Sequence, residues 1–194
     1  HLLSRRQRQM CIRDSLTTKG TPFTDIDGYK TIDFIHELDG RAARMAQTVI
    51  SPSYQMKISG RTVPYSPNWK VTRTGYHPIK WSIDDDADNV LSKAASWNSL
   101  PIIRYAEVLL NYAEAKAELG EMDAAVWDQT IAPLRSRAGV TSVIPAKADP
   151  YMEAYFLNTV TDMALLEIRR ERGIELLLEN CRWDDDMRLS LIHI

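Results

Sequence analysis

Acids are the residues whose spacing first suggests chemistry. The triplet Tyr-Ala-Glu occurs at 105–107 and again at 112–114, seven residues apart. Glu107, Asn111, Glu114 and Glu118 then step by 4, 3 and 4, the spacing of one helix face. Acid–base cleavage of a glycosidic bond needs two carboxylates facing each other across a cleft, about 5–10 Å apart. Carboxylates strung along one helix do not meet that demand, so the row reads as a solvated or ion-paired face. Asp25, Asp27, Asp33, Glu37 and Asp39 are the other candidates for such a pair, and no spacing rule brings two of them together.

Metal chemistry has little support. In IDDDADN (83–89) Asp84, Asp86 and Asp88 alternate like the start of a calcium loop. Position six is then Asn89 where that loop needs Gly, and position twelve is Ala95 where it needs Glu, so a solvated turn is the better reading. His1, His36, His77 and His193 are scattered, and Cys11 and Cys181 lie far apart without a CxxC spacing. Neither a zinc site nor a disulfide framework is expected, and no metal or cofactor is assigned. The run Asp184–Asp186, beside Arg182 and Arg188, reads as a local charge network.

The elements that would position these residues fall in two halves. Residues 16–100 hold most of the prolines, glycines and tryptophans, which favours loops with a few short strands. A hairpin turning at Ser59-Gly60 and a short helix over about 30–37 are expected there. Residues 101–188 carry helical periodicity. A first helix is expected to start after Asn98-Ser99, with Pro101 in its first turn, and to end at Gly120. Its core face is predicted to be Ile102, Tyr105, Leu109, Tyr112 and Ala113. A second helix is expected over 122–137, kinked or broken near Ala132 by Pro133. Asp149-Pro150 reads as a cap and first turn, and a last long helix is expected over 162–180.

Length and composition bound the answer. The 194 residues, 44% apolar and 26% charged, suit one globular domain. A net charge of −2 gives no basic footprint for nucleic acid. No run of eighteen apolar residues occurs, so nothing here reads as a membrane span. The stretches MCIRDS (10–15) and LSLIHI (189–194) resemble translated adapter sequence. Residues 1–15 and 189–194 are therefore read as non-native, and 16–188 as a fragment of a longer domain.

Ala113, Gly120, Ala125 and Ala132 are spaced 7, 5 and 7, like the small residues of a tetratricopeptide helix pair. One such pair cannot bury its own face, so partner helices are implied. In the last helix Leu165, Ile168, Arg172 and Leu176 form a core-facing stripe that Arg172 interrupts. A buried guanidinium must be paired. A structural network of Arg104, Glu107, Arg172, Glu175 and Arg182 is expected, with Glu175, Glu179 and Glu107 as candidate partners of Arg172. Gly173 would let another backbone pass close by.

Three helical blocks in order, PIIRYAEVLLNYAEAKAELG (101–120), LRSRAG (134–139) and EIRRERGIELLLENCRWDDDMR (167–188), resemble the C-terminal part of the SusD/RagB family. Upstream, LDGR (38–41) and TGYHPIKW (74–81) resemble it too. Asn180-Cys181, Asp186 and Pro133 depart from the family pattern, at packing or loop positions. The resemblance implies a mainly α fold of tetratricopeptide-like helix pairs, with a long irregular loop region carrying a few short strands. It also implies a non-catalytic outer-membrane lipoprotein that binds glycan or another nutrient and delivers it to a SusC-like TonB-dependent transporter. Membrane attachment would come through an N-terminal lipid anchor that these residues do not include. Sugars stack on aromatic faces and bond amides and guanidiniums. Tyr65, Asn68, Trp69, Arg73 and Trp97 are therefore the expected ligand contacts. Tyr76 and Trp81 are read as structural, and Trp127 and Trp183 as core. The alternative is a helical scaffold that binds a protein or peptide partner.

Overall fold

The computed structural model describes residues 12–68, 70, 72, 74–82, 99 and 101–189. Its loop half begins with 3₁₀ turns at Phe23–Asp25 and His36–Leu38, the latter standing where a short helix over 30–37 is expected. A short helix α1 (Ala43–Thr48) and a hairpin of β1 (Gln55–Ile58) and β2 (Arg61–Pro64) follow. The helical half contains α2 (Tyr105–Glu118), α3 (Ala124–Arg137), α4 (Pro150–Tyr155), α5 (Met163–Glu175) and α6 (Cys181–Arg188). The fold is mainly helical, with one two-stranded antiparallel sheet among the described residues.

The hairpin turns where its sequence says it should. Ile58 pairs with Arg61, leaving Ser59 and Gly60 as a two-residue loop. Both have positive φ, 51° and 79°, as a type I′ turn requires, and glycine adopts that conformation at no steric cost.

α2 and α3 form the expected helix pair, and α5 packs closely on α2. Their shared core is Ala106, Leu110, Ala113 and Ala117 from α2, Trp127, Ile131 and Leu134 from α3, and Leu165 and Ile168 from α5, closed by Leu176. The buried face of α2 differs from the predicted one. Ile102 is 95% exposed and Tyr105 75%, and Tyr112 is also exposed. α2 carries two apolar stripes, and periodicity alone does not choose between them. Packing selects the stripe with three alanines, because small side chains let α3 and α5 approach closely. Of the four small residues spaced 7, 5 and 7, Ala113 is buried and Ala132 partly so, whereas Gly120 and Ala125 are exposed.

Three boundaries also differ. α2 starts at Tyr105, later than expected, with Arg104 in the cap position and no side-chain cap. α3 runs unbroken through Pro133, capped by Asp123, whose carboxylate accepts from the Val126 N–H at 2.8 Å. Pro133 and Gln129 both lie on the exposed side, where water can take the carbonyl that proline leaves unbonded. α5 stops at Glu175 because other donors take the carbonyls that follow. Arg104 (3.1 Å) and Lys80 (3.0 Å) donate to the Glu175 carbonyl, and the Trp81 indole N–H donates to that of Leu178 (2.7 Å). Leu178 and Asn180 then take positive φ, and α6 begins.

Besides the bonds from Lys80 and Trp81, the loop half is fastened to this frame near the end of α3. Leu16 and Ala42 pack on Ala138 and Val140, just past the end of α3. Thr141 donates its backbone N–H to the Thr18 carbonyl at 3.0 Å. Gly20 lies so near that a Cβ there would sit 2.4 Å from the Thr141 carbonyl oxygen.

Candidate functional site

The motif EIRRERGIE on α5 supplies a buried lattice of charge. Glu171 is fully buried, forms an ion pair with Arg44 on α1, and accepts a hydrogen bond from Arg135 on α3 at 3.2 Å. Arg135, 2% exposed, also bonds Glu167, and Arg170 bonds Glu167 (3.1 Å) and Asp149. Arg169 reaches Glu114 (3.1 Å) and Glu118 (2.7 Å) on α2, and Arg188 also bonds Glu114. The acidic row of α2 is thus ion-paired at Glu114 and Glu118, while Asn111 accepts from Arg172 at 2.7 Å.

The residues grouped by sequence into one network lie in several. Arg104 does join Glu175. Arg172 pairs with Asp185 at 2.7 Å and not with Glu175, Glu179 or Glu107. Glu175 and Glu179 are held instead by Arg104, Arg137 and Lys80, and α6 folds back to supply Asp185. Arg182 bonds the Tyr155 hydroxyl and pairs with Asp186 (3.0 Å). It is the Arg182 guanidinium, not a backbone, that lies 3.0 Å from where a Gly173 Cβ would be. Glu107 is half-buried near Cys181, whose thiol is pushed up by burial and by that carboxylate. Arg44, Arg135 and Glu171 were missed by sequence reading. Arg135 follows Leu134 directly on the buried side of α3, a position that hints at a paired guanidinium.

Where α1, the 78–82 turn and the ends of α3 and α5 meet, a cleft of about 620 Å³ opens. Arg44, Gln47, Lys80, Trp81, Arg104, Arg137, Glu175 and Glu179 are among its lining residues. Arg104 grips Glu179 in a bidentate pair, 2.6 and 2.7 Å, and also bonds Glu175 Oε1 at 2.9 Å. Lys80 adds a second cation on Glu179, and Arg137 a second on Glu175 Oε1. Burial works against ionisation of Glu175, but the hydrogen bonds from Arg137 and Arg104 outweigh it and hold the carboxyl below its usual range.

The loop face is built differently. Tyr65 contacts Tyr54 and His77 edge-on, both at 6.3 Å between centroids. The Asn68 N–H donates to His77 Nδ1 at 3.3 Å, and burial lowers the His77 pKa, so this ring is a neutral acceptor. Asn68 Oδ1 accepts from the Lys70 N–H at 2.9 Å, closing an Asx turn. Tyr65 and Asn68 therefore lie side by side on a shared histidine. Trp69, Arg73, Trp97, Asn98 and the acidic run 83–89 lie outside the described residues.

The remaining aromatics and acids have structural places. The Tyr76 hydroxyl donates to Glu37, and its ring lies 5.3 Å from that of Phe34. Trp127 is buried and its indole N–H donates to Ser142 Oγ at 3.0 Å. Trp183 does not join the core: it is 50% exposed, because α6 turns Asp185 and Asp186 inward instead. Asp33 accepts from the Ile35 and His36 N–H groups, both at 3.0 Å, and Asp25, Asp27 and Asp39 are exposed. Among the described residues, no group of three or more His, Cys, Asp or Glu side chains is placed to hold a metal ion. No helix among them is long and apolar enough to cross a membrane.

No curated protein and no solved structure matches the chain. The family model described as SusD family does, over residues 8–192. That family is known for glycan binding and nutrient uptake, is generally non-catalytic, and consists of outer-membrane lipoproteins. Nearly the whole sequence is covered, and the helical frame carries the three blocks on which the resemblance rests, so this chain belongs to the SusD family.

Proposed function

We propose that this chain is the C-terminal part of a non-catalytic surface lipoprotein that captures oligosaccharide or polysaccharide and passes it to a TonB-dependent outer-membrane transporter. The family match over residues 8–192 carries this reading. The charge geometry supports it, since Glu114, Glu167, Glu171, Glu175 and Glu179 are all bonded to cationic side chains and so are poorly suited to acid–base work. Tyr65 and Asn68 are the proposed contacts on the described part of the loop face, with Trp69, Arg73 and Trp97 completing the set. The test is a glycan array probed with the whole chain, together with an assay for released reducing sugar. Binding without release is expected. Release of reducing ends would make the protein a hydrolase. Delivery is tested in the source DNA, where the frame is expected to extend upstream to a signal peptide with a lipobox cysteine, beside a transporter gene.

A second reading rests on α2. Tyr105, Val108, Tyr112 and Leu119 are exposed at near-heptad steps, as on a helix that packs against another helix. This favours a protein contact on that face. Cross-linking from Tyr112 to a partner polypeptide would support it, and no cross-link would count against it.

A further inference from the structure

The cleft between α1 and the ends of α3 and α5 has more positive than negative charge. Four cations, Arg44, Lys80, Arg104 and Arg137, line it against two carboxylates, Glu175 and Glu179. Glu171 lies behind Arg44, but Arg135 already pairs with it from the other side. Arg137 stands at the open side. Its side chain is 59% exposed, and it spends Nη2 on Glu175 Oε1. No bond from its Nε or Nη1 is present among the described residues. Water can solvate those donors, but so can a carboxylate or sulfate, which a guanidinium binds through two parallel bonds; on Arg137 these would pair Nε or Nη1 with the second hydrogen of Nη2.

The other walls suit a ring. Trp81 is anchored through its indole N–H to the Leu178 carbonyl, which fixes the ring beside the cleft. Gln47 adds an amide and Thr48 a hydroxyl oxygen. A volume of about 620 Å³ is far larger than a bare sulfate or phosphate needs and falls in the range of small-molecule pockets.

We infer that this cleft binds an acidic saccharide, a sugar bearing a carboxylate or a sulfate ester, with Arg137 taking the anionic group and Trp81 the face of the ring. The saccharide part rests on the glycan-capture reading, and the acidity and the place are additional to it. Lys80 and Arg104 hold Glu175 and Glu179 in position and keep the local field positive. Arg137 is the specificity residue, and the surplus charge selects acidic over neutral sugars.

Titration calorimetry on the whole chain tests this with four probes of equal length: an oligogalacturonate, a neutral galactan oligomer, a sulfated galactan oligomer and an oligoglutamate peptide. At least one acidic saccharide is expected to bind about tenfold tighter than the neutral one, the scale of one charge-assisted hydrogen bond. Whichever acidic saccharide binds tighter identifies the anion. Arg137→Ala is expected to lose about that factor for the acidic saccharides with neutral-oligomer binding unchanged, the fold being kept because Arg44 and Arg104 still pair with Glu175. Trp81→Ala, which removes the ring face, is expected to weaken binding of every saccharide, and unchanged binding would overturn the part assigned to Trp81. Equal binding of neutral and acidic sugars, or an unaffected Arg137→Ala, overturns the inference and leaves glycan capture standing. Oligoglutamate binding as tightly as the saccharides overturns it too, since the cleft would then read charge alone. If none of the three saccharides binds, this inference falls, and the glycan array decides the glycan-capture reading separately.

Discussion

The two halves of this molecule hold their side chains by different means. In the helical half, α2, α3 and α5 share one apolar core, and a lattice of arginines and glutamates locks the helices from within. In the loop half, small clusters such as Ile12, Met45 and Val49 are joined by turns, bridges and single polar contacts. Tyr65 and Asn68 are held by neighbours within the same loop region, and no residue of the large core touches them through a hydrogen bond or ring contact among the described residues. A change in the lattice must be felt across several helices, whereas a change on the loop face stays local. Such a division suits a rigid frame that carries an alterable binding surface.

Breaking the lattice gives the largest expected effect. Glu171→Ala would leave Arg44 and Arg135 buried without their shared carboxylate, at a cost of about 3–5 kcal/mol. Urea denaturation followed by circular dichroism measures it. A cost below about 1 kcal/mol would put the lattice on a level with surface ion pairs.

The pH dependence of stability sharpens the comparison at the junction of the halves. Burial pushes Asp14 up to about 7, with Arg170 and Arg182 opposing that shift and Asp149 and Glu167 adding to it. The folded state then holds a proton that the unfolded chain releases near its ordinary pKa of 3.8. Stability contributed at this site is therefore fully present below about pH 4, falls as pH rises to about 7, and is flat above, by up to about 4 kcal/mol. Asp14→Asn is expected to remove that slope, as thermal melts between pH 4 and 8 would show. Asp14 Oδ1 and Ser15 Oγ are both buried without a hydrogen-bond partner.

Gly20→Ala attacks the seam itself. The new methyl would meet the Thr141 carbonyl at 2.4 Å, and the backbone has a φ of +80°. A loss of about 2–4 kcal/mol is expected from strain and overpacking together. A neutral substitution would mean that the seam is free to shift. At the small end, Ser59→Asn gives the hairpin the Asn-Gly pair its turn prefers. A gain of about 0.5 kcal/mol is expected in the denaturation midpoint, and none in ligand binding.

What the sequence disclosed followed from local rules. The Ser59-Gly60 turn, the Asp149-Pro150 start of α4 and the mainly helical second half were all legible, because caps and turns depend on neighbouring residues. The inward face of α2 was not, since Tyr105 and Ala106 belong to two equally regular apolar stripes. The partners of Arg172 were not legible either, because Asp185 reaches it only after the chain leaves α5 and folds back as α6. Arg135 meets Glu171 from 36 residues away, a distance over which periodicity says nothing. At the loop face, the sequence marked Tyr65 and Asn68 as neighbours, but the histidine that joins them, His77, came from the fold.

Affinity electrophoresis of the whole chain through gels containing soluble polysaccharides tests the central claim most directly, with Trp69→Ala and Tyr65→Ala run alongside. The account predicts that at least one polysaccharide retards the parent protein. It also predicts that Trp69→Ala abolishes the retardation, and that Tyr65→Ala weakens it, with both melting temperatures unchanged. Unretarded migration in every gel, or retardation that both substitutions leave intact, would contradict glycan capture by the loop face.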